Sequence, residues 1–342
     1  MGIAMAHGFT DTDNMVIVGT PAWHGLGRVV DNAPTPAEAL KLAKLDWTVE
    51  QWPMVAVNEP SLRMPVTSHV CNMRSDTGEQ LGVVGQGYRP IQNAELAQFA
   101  TALGVDSSGE STVKVESAAS ICGGRRVWFL LRANTFSVKG FNDEVTPYLL
   151  LANGHDGSLA FHARPTSVRV VCKNTLSMSM GSKSTCFDLR FKHEGDIQGK
   201  LEETRRVLGL FSKTADQFRE KVDYLSSQTV TKEQLAAYFI DAYSAAFKPI
   251  PANPTTTTDR KAATEARETI YHWTRAFDRG SQRFGATRWI ALNAATDCLQ
   301  HLDVVRGRDD RSRNENRLKS QLFGAIEERT NAVAKVALTL AG

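Results

Sequence analysis

The sequence predicts an α+β protein: an N-terminal antiparallel β-meander with inserted helices over residues 1–195, then a helical C-terminal region over 196–342. Three observations carry this. In the first part, short runs of β-branched and aromatic residues alternate with Gly- and Asp-bearing turn signals, the pattern of successive hairpins. Near Gly195 the composition shifts to helix formers. Residues Ile197, Leu201, Thr204, Leu208, Phe211, Ala215, Phe218, Val222 and Leu225 then step alternately by four and three, a heptad seam on one helix over 196–226. A chain of 342 residues suits about two domains.

Taken in order, Thr35-Pro36-Ala37-Glu38 starts a helix, with Thr as cap, Pro at the first helical position and Glu at the third. Trp47–Trp52 reads as a strand. His69–Arg74 and Gln80–Tyr88 flank Asp76-Thr77-Gly78, a hairpin turn. Asn93 is placed to cap a helix over Ala94–Leu103 that stops at Gly104. Val113–Ile121 and Arg125–Ala133 flank Gly123-Gly124, a second hairpin, and Tyr148–Ala152 and Leu159–Ala163 flank a His-Asp-Gly-Ser loop, a third. Beyond the seam, helices are expected over Lys232–Phe247, Arg260–Asp278, Arg288–Val305 and Asn314–Leu340. The Pro-rich stretch 249–254 is a linker and Arg306–Arg313 a charged turn.

Charge is unevenly distributed. Residues 161–192 hold Arg164, Arg169, Lys173, Lys183, Arg190 and Lys192 against Asp188, a net +5, whereas the whole chain is +3 and residues 1–160 are −5. A concentrated basic stretch points to an anionic partner, most often phosphate. Arg164, Arg169 and Lys173 would contact the backbone, with Asn174 and Thr175 as neutral donors. Arg125 and Arg126 add a second basic strip. On a strand, Arg126 and Trp128 share a face, which would make a basic, aromatic platform for single-stranded bases. The alternatives are an ordinary strand with Trp128 under a helix, and arginines paired with acids of the first part.

No complete catalytic constellation stands out, and there is no Walker or dinucleotide-binding loop. His155, Asp156 and His162 could form an acid/base pair, yet His155-Asp156-Gly157 fits a hairpin tip equally well. Cys172, Cys186 and His193 match no zinc spacing, so neither metal nor other cofactor is expected. The five cysteines, odd in number and scattered, suit reduced thiols in a cytosol-like compartment. No apolar run is long enough for a membrane span and no secretory leader is expected.

Several segments together carry a resemblance. Trp23-His24-Gly25-Leu26-Gly27, Leu81-Gly82-Val83-Val84-Gly85 with Tyr88 and Gln92-Asn93, Gly124-Arg125-Arg126-Val127-Trp128, His155-Asp156-Gly157-Ser158, Arg169-Val170-Val171-Cys172-Lys173-Asn174-Thr175 and Trp289–Ala294 follow in order over most of the chain. They resemble the phage/plasmid-like proteins that contain domain of unknown function 932. The resemblance implies a mobile-element origin and a cytoplasmic setting, and it assigns no catalytic mechanism or site residue. The element order is also loosely similar to phage single-strand annealing proteins, an analogy of fold alone.

The expectation is therefore a DNA-binding protein of phage or plasmid metabolism, related to annealing or recombination. It would favour single strands and self-associate through its helical region. Two other expectations stand beside it: a structural or inhibitory protein working through protein contacts, and, less favoured, a nucleotide-acting enzyme using His155, Asp156 and Cys172.

Overall fold

A computed structural model describes residues 14–19, 27–59, 62–104, 114–133, 135–138, 144–166, 189–191, 215–301 and 305–339. Arg169, Cys172, Lys173, Asn174, Cys186, His193 and the seam from Ile197 to Phe211 lie outside the described residues. The architecture is α+β, with N-terminal sheets followed by C-terminal helices. The chain divides into two compact units: Met1–Asn134, Tyr148–Arg164 and Phe187–Phe211 form one, and Thr135–Pro147, Pro165–Cys186 and Ser212–Gly342 the other.

The first unit opens with β1 (Met15–Val18) and β2 (Arg28–Val30), followed by α1 (Pro36–Leu42). The Thr35 hydroxyl accepts from the Glu38 amide while the Glu38 carboxylate accepts from the Thr35 amide, the capping box expected of this tetrapeptide. Next come β3 (Val49–Glu59), β4 (Leu62–Arg74), β5 (Gln80–Gly85) and α2 (Asn93–Gly104), then β6 (Lys114–Ile121) and β7 (Arg126–Arg132). The short β8 (Phe136–Ser137) and β9 (Glu144–Val145) pair as a small ribbon in the second unit. The strands β10 (Tyr148–Gly154), β11 (Phe161–Thr166) and β12 (Leu189–Phe191) complete the β part.

Seven strands form the main sheet in the order β12-β11-β10-β7-β6-β1-β2. From β6 to β12 it is the predicted antiparallel meander. The short β1 joins β6 antiparallel, and β2 adds a parallel edge. Helices α1 and α2 lie against β1, β6, β7 and β10. The helix-facing rows include Phe161, whose ring centre is 4.9 Å from that of Phe99 on α2, and Asn153, whose amide donates to the Ile91 carbonyl. Register then places Val127, Phe129 and Leu131 on this face, and Arg126, Trp128, Leu130 and Arg132 on the other. Both rows are buried through the middle of β7.

The second sheet, β3-β4-β5, departs from expectation in length. β3 continues through Pro53 to Glu59 as an edge strand, and β5 supports only the His69–Met73 part of β4. The ribbon beyond it is largely solvent-exposed.

Among its described residues the second unit is helical apart from the β8–β9 ribbon and the end of β11. α3 covers 215–227, where Phe218, Val222 and Leu225 are buried in one stripe as the seam predicts. Then follow α4 (Lys232–Ala246), α5 (Thr257–Phe284), α6 (Arg288–His301), α7 (Asp310–Phe323) and α8 (Ala325–Thr339). α6 is buried on nearly every side, as an apolar helix at the centre of a bundle must be, with α5 and α8 packed on it. Tyr238 and Phe239 of α4 and Trp273 of α5 form an aromatic cluster. Several boundaries differ from the sequence reading. α5 starts earlier, on a Thr256/Asp259 capping box, and runs on to Phe284; the expected helix 314–340 starts at Asp310, within the expected charged turn, and is two helices, broken at Gly324.

Candidate nucleic-acid interface

The described members of the expected basic site fall on the main sheet. Arg125 is exposed on the turn joining β6 to β7, and Arg126, the first residue of β7, is half-buried with its guanidinium 3.4 Å from the Ser158 hydroxyl. Arg164 and His162 are half-buried on β11, on the side opposite Phe161 and thus on the same sheet face as Arg126. Trp128 corrects the sequence reading. It does share this face with Arg126, but it is fully buried, because β7 is a central strand covered on both sides. An enclosed ring offers no surface on which a base can stack.

The Asn153–Ser158 loop is built inward. Asn93 does not cap α2; Gln92 takes that position, its backbone N–H donating to the Glu95 carboxylate at 2.7 Å. The Asn93 amide nitrogen instead donates to the Leu45 and Trp47 carbonyls, at 3.0 and 3.3 Å. Its oxygen is therefore the acceptor facing His155 Nε2 at 3.0 Å, so that nitrogen carries a proton. His155 is fully buried, its ring edge-on to Trp47, and the Arg74 guanidinium lies over the Trp47 ring, 4.5 Å from its centre, as a cation on the indole face. The Asn72 amide donates to the His155 carbonyl and the Tyr88 hydroxyl to the Gly154 carbonyl, both at 2.8 Å. Burial first, and then the Asp156 carboxylate, hold the Tyr88 phenol well above its ordinary range, so it remains a donor.

Two glycines make this enclosure possible. A Cβ on Gly82 would stand 2.7 Å from the Asp156 Cα, and one on Gly124, at φ +91°, would stand 2.9 Å from the Trp47 ring. The segments around Gly82, Tyr88, Asn93, Gly124 and His155, scattered in sequence, thus meet as one scaffold.

Asp156 turns away from His155. Its carboxylate accepts from the Ser158 amide and hydroxyl, an Asx turn. The two residues are not an acid/base pair, and the imidazole Nε2 is bonded to Asn93. Among the described residues no group of three or more His, Cys, Asp or Glu side chains is placed to hold a metal ion. Cys298 is buried in α6; burial, then the Asp297 carboxylate, push its thiol up to about 12, which leaves it protonated and unreactive. No helix among the described residues is long and apolar enough to cross a membrane.

A row of exposed basic charge in the second unit lies on α5, which the sequence reading treated only as a helix. Arg260, Arg267, Arg275 and Arg279 are exposed there and make no ion pair among the described residues. Tyr271 stands between Arg267 and Arg275 and is 59% exposed. The signal was present in the four-residue spacing from Arg267 to Arg279, masked by interspersed acids.

No solved structure matches the chain. The model of the family described as domain of unknown function (DUF932) matches residues 80–322, which take in the whole meander from β5 onward and the helices up to α7. The Gly82, Asn93, Gly124 and His155 segments that interlock in the first unit, and the α6 core of the second, fall within that span, and the chain belongs to the DUF932 family.

Proposed function

We propose that the protein binds nucleic acid in the cytoplasm, single-stranded DNA in preference to duplex, in the DNA metabolism of a phage or plasmid, with strand annealing as its action. The observation that carries the reading is the shared sheet face of Arg126 and Arg164. Residues 38 positions apart, as numbered, emerge on one side of the main sheet, with Arg125 exposed at the adjoining turn. Such side chains suit phosphate oxygens, which position a strand without reading its sequence. Arg169, Lys173 and Asn174 belong to the same basic segment in the sequence.

The test is a mobility shift with single-stranded and duplex DNA at two salt concentrations. The parent is compared with the triple variant Arg125→Ala, Arg126→Ala, Arg164→Ala, with folding checked by circular dichroism. Each lost phosphate contact lowers the single-strand salt slope by roughly 0.7, so the triple variant loses about 2. No binding by the parent at low salt would sink the reading.

A second reading, contact with another protein or a second copy of this chain, has one observation in its favour. Trp52, Val55, Val57 and Met64 are each about half exposed or more on the β3–β4 ribbon. Affinity carried by such apolar residues would hold as salt rises, which separates it from phosphate binding. An enzymatic role draws no support from His155, whose ring is enclosed and bonded to Asn93.

A further inference from the structure

We infer that α5 is a second nucleic-acid contact, a phosphate track with a stacking platform at Tyr271, and that it supplies the single-strand preference the buried Trp128 cannot. The inference rests on the nucleic-acid reading above but on different residues in a different unit.

The geometry begins with burial. Ala266, Trp273 and Phe277 are the residues α5 encloses, and they define its inner face. Arg267, Tyr271, Arg275 and Arg279 follow at steps of four, each step advancing about 40° around the helix, so they form an oblique stripe on the opposite side. With Arg260 one turn and more before it, the stripe runs about 28 Å along the axis. All five side chains are exposed.

Interspersed acids are the first objection, since a mixed helix face is usually only solvated. α5 holds six basic and four acidic residues. Two of the acids are engaged elsewhere: the Asp259 carboxylate accepts from the Thr256 backbone N–H in the capping box, and Glu265 lies 4.0 Å from Lys261. Glu268 and Asp278 remain against Arg260, Arg267, Arg275 and Arg279, none of which is ion-paired among the described residues. Arg283 lies over the Phe284 ring at 4.8 Å. The unspent charge on this face is therefore positive.

Tyr271 decides the class of ligand. An aromatic ring 59% exposed between two arginines has little reason to be there for folding, since its neighbour Trp273 fills the core. Only an unpaired base has a free π-face to lay on it; in a duplex the bases are stacked on one another. Base–aromatic stacking is tolerant of sequence, and flanking arginines hold the phosphates on either side. Single-stranded nucleic acid is the ligand this arrangement fits.

The experiment uses the full chain and fluorescence anisotropy with an oligothymidine probe and a hairpin duplex at several salt concentrations. Arg267→Ala, Arg275→Ala, Arg279→Ala together should lower the single-strand salt slope by about 2. Tyr271→Ala should weaken single-strand binding about tenfold and leave duplex binding unchanged, whereas Tyr271→Phe, which keeps the ring, should restore it. These surface changes leave the fold intact by circular dichroism. If the parent binds the probe and both α5 variants bind it with the same affinity and slope, this inference falls while the sheet-based reading stands. If the arginine variant loses affinity but Tyr271→Ala does not, the stacking assignment falls. If the parent binds neither probe at low salt, both fall together.

Discussion

The Asn153–Ser158 loop of the first unit and helix α5 of the second hold similar polar residues in opposite states. Around the loop, His155, Asn72, Asn93, Asn153 and Arg74 are all buried and spent on carbonyls, carboxylates or rings of the same unit. On α5 the arginines stand in water without carboxylate partners among the described residues. A side chain whose bonding capacity is consumed inside the fold holds the fold, and one left unspent at the surface is available to a ligand. In the sequence the loop offered an acid/base pair or a hairpin tip, because it gathers His, Asp and Ser; in the fold its chemistry is directed inward.

The sharpest way to break that comparison is Asn93→Ala. It strands the Leu45 and Trp47 carbonyls and the His155 Nε2 proton, all in a buried setting. Each of the three stranded groups costs about 1–3 kcal/mol, so together they cost about 3–9 kcal/mol. Urea unfolding should show a lower midpoint at an unchanged slope, the slope times the midpoint drop giving that loss, and DNA affinity of the folded fraction should match the parent. A loss below about 1 kcal/mol would mean that the enclosed cluster is not what holds the loop.

A smaller effect is expected where the cluster reaches the surface. Arg74 is nearly buried and forks onto Asp76, with contacts of 3.0 and 2.7 Å; Asp76 is 42% exposed. Partial burial pushes the Asp76 carboxyl up, but the Arg74 guanidinium and the backbone amides outweigh it, and the carboxyl ends below its ordinary range. A depressed carboxyl contributes stability that is present above the unfolded value of about 3.9 and lost as pH falls through the lower folded value. Asp76→Asn should therefore cost about 1–2 kcal/mol at neutral pH, discounted for the exposure of Asp76. The gap from the parent should close as pH drops below about 4. A gap that stays constant into acid would show that the pair is not the source.

Local signals were legible and long-range ones were not. Thr35-Pro36-Ala37-Glu38 specified a helix start within four residues, and the Asp76-Thr77-Gly78 turn specified its hairpin. Both follow from backbone bonding that needs no distant partner. Asn93 looked like a cap because Asn favours that role, yet its three partners come from 46, 48 and 62 residues away. Pro53 read as the end of a strand, but on the outer edge of a sheet a missing N–H costs nothing, so β3 runs through it. Trp128 looked available because alternation alone cannot tell a central strand from an edge, and the order β10-β7-β6 buries it. Tyr271 and its arginines were overlooked for the converse reason: nothing in the spacing of a mixed helix face says which charges stay unspent.

The smallest expected effect on stability tests the exposed side of the comparison most directly. Arg275→Ala removes an exposed side chain that makes no ion pair among the described residues. Alanine is also the better helix former, so its own contribution offsets any packing lost along the arginine stem. The change in unfolding free energy should stay within about 0.5 kcal/mol. In the same protein the single-strand salt slope should fall by roughly 0.7, one phosphate contact. Asn93→Ala should give the mirror image, a large loss of stability with the slope intact. Measured side by side, the two substitutions separate folding from binding on independent axes. An Arg275→Ala variant that is destabilised by 2 kcal/mol with an unchanged slope would place the arginine among the structural residues and erase the distinction between the loop and the helix.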